Sequence, residues 1–508
     1  MKLNKKIMLN GTYLMLLIML SQHVQGQQVP DAMKQQFDAY HRQAPQEKLF
    51  VHTDKDFYLT GETIWFKLYN TDAGSHKVSE ISKVAYVEIL NSEGKPVLQA
   101  KIGLAESNGN GEGSFILPAH LASGTYLLRA YTQWMRNFNE AYFFSKPLTI
   151  VNTSVRPDWP SMQKRAAYRV EFFPEGGNLV YGLQSRVGFR IVDSYGKGLD
   201  GRGVILDQRN DTVARFQPLL FGIGNFFLQP QTGASYKALV FLQDGSTFTA
   251  DLPRIYNEGY VMNVTEIDKD RVRVTVTRSG GASSALYLFG HTRNEVKFAY
   301  AQSIATGKAE WTIRKDQLGE GVSTLTVFSE DRKPLCERLY FRRPAHKLNI
   351  AVGTYNAEVG TRSEARMLVS TTDETSKPVE AALSMSVFLV DSLQIPYQTS
   401  IDSYLWLASD LNGNIEFPGH YLSDTTEETD RAIDNLMLTH GWRRFRWEDI
   451  STTPSFNFLP EYEGLTIQAR ISNRSNGSPA KGITGYVTVA DEHFRVSNAV
   501  SNEKGDAS

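Results

Sequence analysis

The stretch from Val51 to Phe66, Val-His-Thr-Asp-Lys-Asp-Phe-Tyr-Leu-Thr-Gly-Glu-Thr-Ile-Trp-Phe, decides the fold class of this chain. A short alternating run leads into a Leu-Thr-Gly-Glu turn, and polar and apolar side chains alternate again from Thr63 to Leu68. Alternation with a period of two indicates a strand that buries one face, and Gly61 supplies the backbone freedom that a tight corner requires. The stretch therefore predicts two β-strands joined by a turn.

The same elements recur along the chain, and their spacing sets the size of the repeating unit. The turn at Leu90–Pro96 returns at Val192–Gly198, and the Gly-x-Gly-x-Phe pattern of Gly111–Phe115 returns at Gly222–Phe226. The spacing is roughly 100 residues, the size of an immunoglobulin-like sandwich, and self-similarity of this kind is typical of a tandem array. We therefore predict an all-β fold of tandem immunoglobulin/fibronectin-like β-sandwiches with one short helix-containing unit.

Turn residues, prolines and hydrophobic periodicity give the expected boundaries of the units. A helix is predicted over residues 426–440, with Asp424 and Thr425 as candidate N-caps and Gly441 at its end. Because the last unit stops before its strands are complete, we expect the sequence to be a fragment of a longer protein. The predicted division is a signal peptide at 1–26, a helical lead-in at 27–46, a β-sandwich at 47–153, a linker at 154–167, β-sandwiches at 168–255 and 256–345, a β-sandwich with the helix at 346–455, and the start of a further β-domain at 464–508.

The first residues have the pattern of a targeting segment. Lys2, Lys5 and Lys6 are followed by an apolar stretch at Tyr13–Leu20, and cleavage is expected after Gly26. The apolar stretch is shorter than the roughly 20 residues that span a bilayer, although an uncleaved anchor is an alternative. No cysteine lies nearby, so no lipobox is expected. The prediction is an exported protein of the periplasm or outer membrane, with only peripheral membrane contact.

Composition narrows the compartment and the partners. The 508-residue chain has a formal net charge of −1 and one cysteine, Cys336, so an internal disulfide is excluded. Secreted eukaryotic proteins of this size usually carry several disulfides, which favours a bacterial envelope protein. Nucleic-acid binding requires a basic stripe that this chain lacks.

The first unit contains a set of spaced motifs: His52-Thr-Asp-Lys55, Tyr58, Gly61-Glu62, Gly113, Phe115, Leu117-Pro118, Gly124 and Tyr126. Through these motifs, residues 47–153 resemble a macroglobulin domain of the alpha-macroglobulin type, specifically the second macroglobulin domain type. The wider chain, through Phe172–Asn178 and Leu438–Phe445, resembles exported proteins of Bacteroidetes-like bacteria that contain such a domain. The resemblance implies macroglobulin-like sandwiches, a carboxypeptidase-regulatory-like β-domain at 464–508 and an endopeptidase-inhibitor-like role.

The family's covalent trapping needs a thioester within a Cys-Gly-Glu-Gln run, and this sequence has no such run. His52 is interpreted as a strand-edge residue because no hydroxyl or thiol is in register with it along its strand. Cys336 is interpreted as a buried strand residue rather than a nucleophile. The sequence therefore predicts no catalytic residue, no cofactor and no enzyme activity.

Metal binding is also not expected. The histidines lack a metal-ligand spacing, so no zinc site is predicted. The oxygen-rich loop Asp410–Asn414, with Glu416 beyond it, is interpreted as an Asn-Gly hairpin, with calcium binding as the less favoured alternative.

One segment combines aromatic and basic side chains in a way that suits a partner-binding surface. The alternative is that its aromatic residues pack the preceding helix while the arginines stay solvated. Trp65 and the stretch Tyr131–Met135 carry the same ambiguity, with core or inter-domain packing favoured. The candidate surface comprises Trp442, Arg443, Arg444, Phe445, Arg446 and Trp447.

The sequence thus predicts a non-enzymatic exported envelope protein that acts as a binding or scaffold module, with an endopeptidase-inhibitor-like role implied by resemblance. The alternative is an accessory component of an outer-membrane, TonB-dependent nutrient or glycan uptake system. The expected partner is a protein, either a protease or an outer-membrane receptor, and a glycan is a further candidate. Grooves between sandwiches offer places where an extended peptide could add as a strand.

Overall fold

The computed structural model describes residues 29–155, 168–281, 284–356, 358–389, 399–441, 447, 450, 453–465, 468–489 and 495–507. Strands in many small sheets dominate these ranges, and the helices are few and short. The predicted fold class, all-β with tandem β-sandwiches, is confirmed. The predicted signal peptide and residues 156–167 of the predicted linker lie outside the described residues.

The first sandwich contains the stretch that decided the fold class. In β3, Ile64, Phe66 and Leu68 are buried as the alternation predicted, and they pack against the facing sheet. One sheet has the order β1 (Glu47–Thr53), β3 (Thr63–Asp72), β6 (Asn110–Ile116), and the other has the order β2 (Phe57–Leu59), β8 (Phe144–Val151), β7 (Gly124–Thr132), β4 (Val84–Leu90), β5 (Pro96–Gly103).

The second and third sandwiches follow the same plan, each with its own apolar core. The sheets of the second are β14 (Ile223–Leu228), β11 (Ser185–Val192), β9 (Arg169–Pro174) and β13 (Thr212–Phe216), β12 (Gly201–Asp207), β15 (Tyr236–Leu242), β16 (Thr247–Asp251), with a short parallel pair β10 (Leu179–Val180) and β17 (Ile255–Tyr256). The sheets of the third are β18 (Gly259–Glu266), β19 (Arg271–Ser279), β22 (Lys308–Arg314) and β21 (Glu295–Ser303), β20 (Ala285–Thr292), β23 (Gly321–Phe328), β24 (Pro334–Arg342).

The rest of the described chain consists of hairpins and short helices. Residues 29–43 form α1, whose Met33 and Phe37 pack on the third sandwich. The strand pairs are β25 (Asn349–Thr354) with β26 (Met367–Thr372), β27 (Ala469–Arg470) with β30 (Asp506–Ala507), and β28 (Thr484–Val489) with β29 (Arg495–Val500). The other α-helices are α2 (Ile401–Trp406), α3 (His420–Ser423) and α4 (Glu427–Thr439), and the 3-10 helices are Trp134–Asn137, Glu140–Tyr142, Lys315–Gln317 and Ala408–Asp410.

Helix α4 connects the second and third sandwiches. Its N-cap is Thr426, whose side chain accepts a hydrogen bond from the Thr429 N–H, rather than Asp424 or Thr425. Ile433, Leu436 and Met437 form its buried face. That face packs on β24 of the third sandwich and on β14 and β11 of the second. Within the described ranges, no helix has the length and apolar character that a membrane crossing requires.

The glycines of the Gly-x-Gly-x-Phe pattern allow the two sheets of the first sandwich to approach closely. A Cβ added at Gly113 would lie 2.8 Å from the Phe66 ring and 2.8 Å from the Ile102 side chain. Only glycine fits between these core side chains without displacing them. At Gly124 an added Cβ would meet nothing within 4 Å.

We therefore expect Gly113→Ala to lower the free energy of unfolding by about 1–3 kcal/mol, because an overpacked core must shift to accept the methyl group. Gly124→Ala is the matched control and is expected to change it by less than ~1 kcal/mol. Chemical denaturation of both variants measures the difference. Equal stability of the two variants would contradict the tight packing at Gly113.

Candidate functional site

The predicted aromatic and basic surface is described only at its last residue. Residues 442–446 lie outside the described residues, so that surface stays a prediction. Trp447 packs its ring against Phe328 at 4.6 Å, Phe289 at 5.3 Å and Phe37 at 5.8 Å between ring centroids. At this position, packing is observed.

The two other tryptophan positions in question differ from each other. Trp134 is buried, as the packing interpretation predicts, and its indole N–H donates to the Pro45 carbonyl. Trp65 is 61% exposed, so the interpretation of Trp65 as a core or inter-domain residue was wrong. The reason is the register of β3: Trp65 alternates with the buried Ile64 and Phe66 and therefore points to the outer face of its sheet.

Cys336 lies in β24 within the core of the third sandwich. Burial raises the pKa of its thiol to about 12. A thiol that stays protonated at neutral pH is a poor nucleophile. Its environment is that of a small apolar core residue.

His52 meets a hydroxyl that the sequence did not reveal. The expectation concerned residues along the same strand, and Ser384 instead reaches His52 from a distant segment, with 2.6 Å between Nδ1 and Oγ. Tyr69 donates to the same Oγ at 2.7 Å, and Lys67 Nζ donates to the Leu383 carbonyl at 2.9 Å. Burial lowers the pKa of His52, and the positive charge of Lys146 lowers it further.

The Ser384 hydroxyl and the His52 imidazole correspond to the nucleophile and the base of a catalytic triad. A third member that orients the imidazole is not found: no carboxylate in the described part of the chain is hydrogen-bonded to the His52 ring. The observed contacts attach residues 383–384 to the outer face of the first sandwich. Strand alternation alone could not predict them, because Ser384 is 332 residues away.

The loop Asp410–Asn414 is not the predicted hairpin, because it follows the 3-10 helix Ala408–Asp410 and no strands flank it within residues 399–441. Asp410 Oδ2 pairs with Lys48 Nζ at 2.8 Å, and the side chain of Lys48 is only 1% exposed. Lys48 Nζ also donates to the Leu405 carbonyl at 3.2 Å. Over the described residues, no group of three or more His, Cys, Asp or Glu side chains is arranged to hold a metal ion. The pair fixes α2 and the following turn to β1 of the first sandwich.

A buried cluster of charges joins the second sandwich, the third sandwich and α4. The Glu175 carboxylate is fully buried and pairs with Arg186 at 2.9 Å and with Arg338 at 3.0 Å. Arg186 also reaches Asp434 of α4 at 2.7 Å. Asn263 of β18 donates to the same carboxylate at 2.8 Å. Glu175 therefore binds donors from both sandwiches at once, and its signal in the sequence was the Phe172–Asn178 motif.

Removing this charge is expected to be costly. Glu175→Gln should lower the free energy of unfolding by about 3–5 kcal/mol, because Asp434 would be left as the one carboxylate for the guanidinium groups of both Arg186 and Arg338. Glu171→Gln in the preceding strand, β9, is the control, since the pair of Glu171 with Arg190 is partly exposed, and it should cost less than ~1 kcal/mol. Urea denaturation tests both variants, and a loss below ~1 kcal/mol for Glu175→Gln would contradict the role given to the cluster.

Two histidines, His440 buried and His41 half-buried, make the stability depend on pH. Burial lowers the pKa of His41 to about 4. Burial and the charge of Arg190 lower the pKa of His440 to about 3. In the unfolded chain both rings titrate near ~6.5, so below that pH the unfolded state binds protons that the folded state does not. Stability is therefore lost as the pH falls from 6.5 toward 4.

We expect the free energy of unfolding to drop by up to ~1.4 kcal/mol per pH unit for each of these two histidines in that window. His440→Asn should reduce the slope between pH 6.5 and 5. His346→Gln is the control, because His346 is exposed and its contact with Glu374 raises its pKa. Denaturation curves at several pH values measure the slopes, and an unchanged slope in His440→Asn would contradict this origin.

Among the described residues, the clefts between units include a larger and a smaller one. The larger, about 780 Å³, runs between the second and third sandwiches beside α4. Charged side chains line it, and several are already paired: Lys315 with Glu266, Arg343 with Asp430, and Arg186 with Asp434. These charged side chains pair with one another at the junction between the units.

The smaller cleft, about 590 Å³, lies between the first sandwich and residues 399–418. Its floor is apolar and includes Phe144, Leu411 and Ile415, all buried. Its rim is polar and uncharged, with exposed Asn412 and Asn414 on the loop. An apolar floor with a few polar groups at the rim is typical of a binding site.

Comparisons with known proteins give similarity of architecture only. No family model matches the chain, and no curated protein matches it. Similar solved structures include Escherichia coli alpha-2-macroglobulin activated by porcine elastase, with 12% sequence identity over 61% of this chain and 32% of that chain and a TM-score of 0.21. Dimeric latent PorU from Porphyromonas gingivalis has 11% identity over 64% of this chain and 34% of that chain, with a TM-score of 0.26.

The BSP domain of a biofilm-associated protein has 11% identity over 59% of this chain and 67% of that chain, with a TM-score of 0.19. This chain spans about a third of the length of the macroglobulin and of PorU. Similarities at these TM-scores carry no argument about function.

Proposed function

We propose that this protein is a non-enzymatic binding scaffold of the cell envelope, exported by its N-terminal segment. The observation that carries the proposal is the buried cluster around Glu175. It fixes two sandwiches and α4 relative to one another through charged groups that are hydrogen-bonded inside the junction. A fixed array of this kind can present surfaces at constant distances from each other.

The hairpin β25–β26 supports a protein as the partner. All six residues of β25 are exposed, and Ile350 and Val352 are each 54% exposed. Val352 is paired with Val369 of β26, which is 38% exposed, so the apolar residues of the two strands are contiguous. Contiguous exposed apolar residues are typical of protein–protein contact sites.

The finer proposals concern the identity of that partner. The resemblance of residues 47–153 to macroglobulin domains favours a protease, held without a covalent bond because the only thiol, Cys336, is buried. The alternative partner is an outer-membrane receptor of a nutrient or glycan uptake system. In both cases the protein itself performs no chemistry on its partner.

Cross-linking in intact envelopes followed by mild solubilisation tests the scaffold. We expect the wild type to co-purify with a protein partner, and Ile350→Ser/Val352→Ser to lose it, because the apolar contact is removed. Val496→Ser/Val500→Ser is the matched control, since these residues of β29 are also exposed, and it should keep the partner. A wild type that captures no protein would overturn the proposed function.

A second assay distinguishes the partner classes. A protease held by a trap keeps its activity on a small chromogenic peptide but is shielded from a large substrate such as casein. Trypsin and elastase should show this split if the partner is a protease. Equal activity on both substrates, together with a co-purified membrane receptor, would favour the uptake alternative.

A further inference from the structure

Strand β8 has an open edge inside the smaller cleft. On one side β8 pairs with β7 from Phe144 to Ile150. On the other side β2 pairs with it only from Thr149 to Val151. The edge of β8 before Thr149 therefore has no neighbouring strand in the described part of the chain. Phe144, Ser145, Lys146 and Pro147 of this edge line the cleft.

The direction of the backbone groups on this edge follows from one hydrogen bond. The Thr149 N–H donates to the Asp56 carbonyl at 2.9 Å, on the side away from β7. In an antiparallel pair, the residues that point away from the partner strand alternate. Ser145 and Pro147 therefore point their backbone groups the same way as Thr149. Pro147 has no N–H, so Ser145 supplies the one donor of this open edge.

The described residues that line the cleft carry no unpaired charge. Its one cation, Lys146, forms an ion pair with Asp56 and donates to Thr53 Oγ1 at 2.7 Å. Across from the strand edge, the side-chain amides of Asn412 and Asn414 form no hydrogen bond within the described residues. Amide groups can donate to and accept from a peptide backbone, and the apolar floor can take side chains.

We propose that this cleft binds an extended, uncharged peptide segment of the partner, which adds as a strand to the open edge of β8. This inference rests on the proposed function, since it assumes a protein partner. Main-chain hydrogen bonds would join the peptide to Ser145, and alternate apolar side chains would reach the floor at Phe144, Leu411 and Ile415. The open edge from Phe144 to Pro147 is about 13 Å long, room for about four extended residues.

Two observations favour a peptide over an ionic ligand. The cleft offers no unpaired charge, because Lys146 is neutralised by Asp56. An open strand edge, in contrast, matches the spacing of a peptide backbone and of nothing smaller.

The test uses a phage-displayed library of twelve-residue peptides selected on the whole protein. We expect the enriched peptides to carry alternating apolar residues without net charge. Ser145→Pro should weaken their binding at least tenfold, because it removes the single donor of the edge. The substitution should be tolerated, since Pro147 already occupies an equivalent outward-facing position of the same strand. Ser145→Ala is the matched control, because it keeps the N–H, and it should bind as the wild type does.

If Ser145→Pro proves unstable, Asn414→Lys replaces it, because Asn414 is exposed on the rim and a lysine there adds bulk and charge. Asn498→Lys, exposed in β29 outside the cleft, is its control. Hydrogen exchange of the Ser145 amide should slow when the peptide binds. Enrichment of no peptide, enrichment of charged peptides, or equal binding by Ser145→Pro would each overturn the inference. If the wild type co-purifies with a protein partner but binds no peptide, only the strand addition is refuted. If it neither co-purifies with a partner nor binds a peptide, the proposed scaffold function is refuted as well.

Discussion

The position of the units depends on one buried carboxylate. Glu175 has no exposed surface, and a charge placed there is tolerated only because Arg186, Arg338 and Asn263 surround it. An isolated buried ion would cost far more free energy than a single ion pair returns. The cluster therefore favours the observed arrangement of the second sandwich, the third sandwich and α4 over arrangements that separate these donors from Glu175.

The same principle operates at a second place with different groups. Lys48 is buried in β1 and is satisfied by Asp410 and by the Leu405 carbonyl, both from the segment that contains α2. Apolar packing alone tolerates sliding between domains, because dispersion and burial are not directional. Charged hydrogen bonds have fixed directions and lengths. The two clefts keep their shape because their walls are fixed in this way.

The periodicity of apolar side chains predicted those parts of the structure that depend on residues close together in the sequence. The alternation of Thr63–Leu68 predicted a strand with the correct buried face, and the helix predicted over residues 426–440 corresponds to α4, Glu427–Thr439. The same alternation places Trp65 on the exposed face of β3, but the interpretation of Trp65 gave more weight to the tendency of tryptophan to be buried. Such features need only the period of the side chains.

Contacts between distant segments could not be predicted in this way. Ser384 reaches His52, and Asp410 reaches Lys48, across more than 300 residues. Neither residue of such a pair indicates which distant residue it contacts, and a single sequence contains no signal that links the two positions. The open edge of β8 likewise depends on where β2 begins, because the two strands are parallel and Phe57 is paired with Thr149.

The separation of the groups around Glu175 also sets an order of assembly. Its partner Arg338 lies 163 residues further along the chain, and Asp434 follows later still. A polypeptide that emerges from its N-terminus folds its early domains first, so the second sandwich would expose this carboxylate to water until the third sandwich and α4 arrive. The connection between the second and third sandwiches would thus stay flexible during synthesis, and it would become rigid only when Asp434 of α4 has joined the cluster.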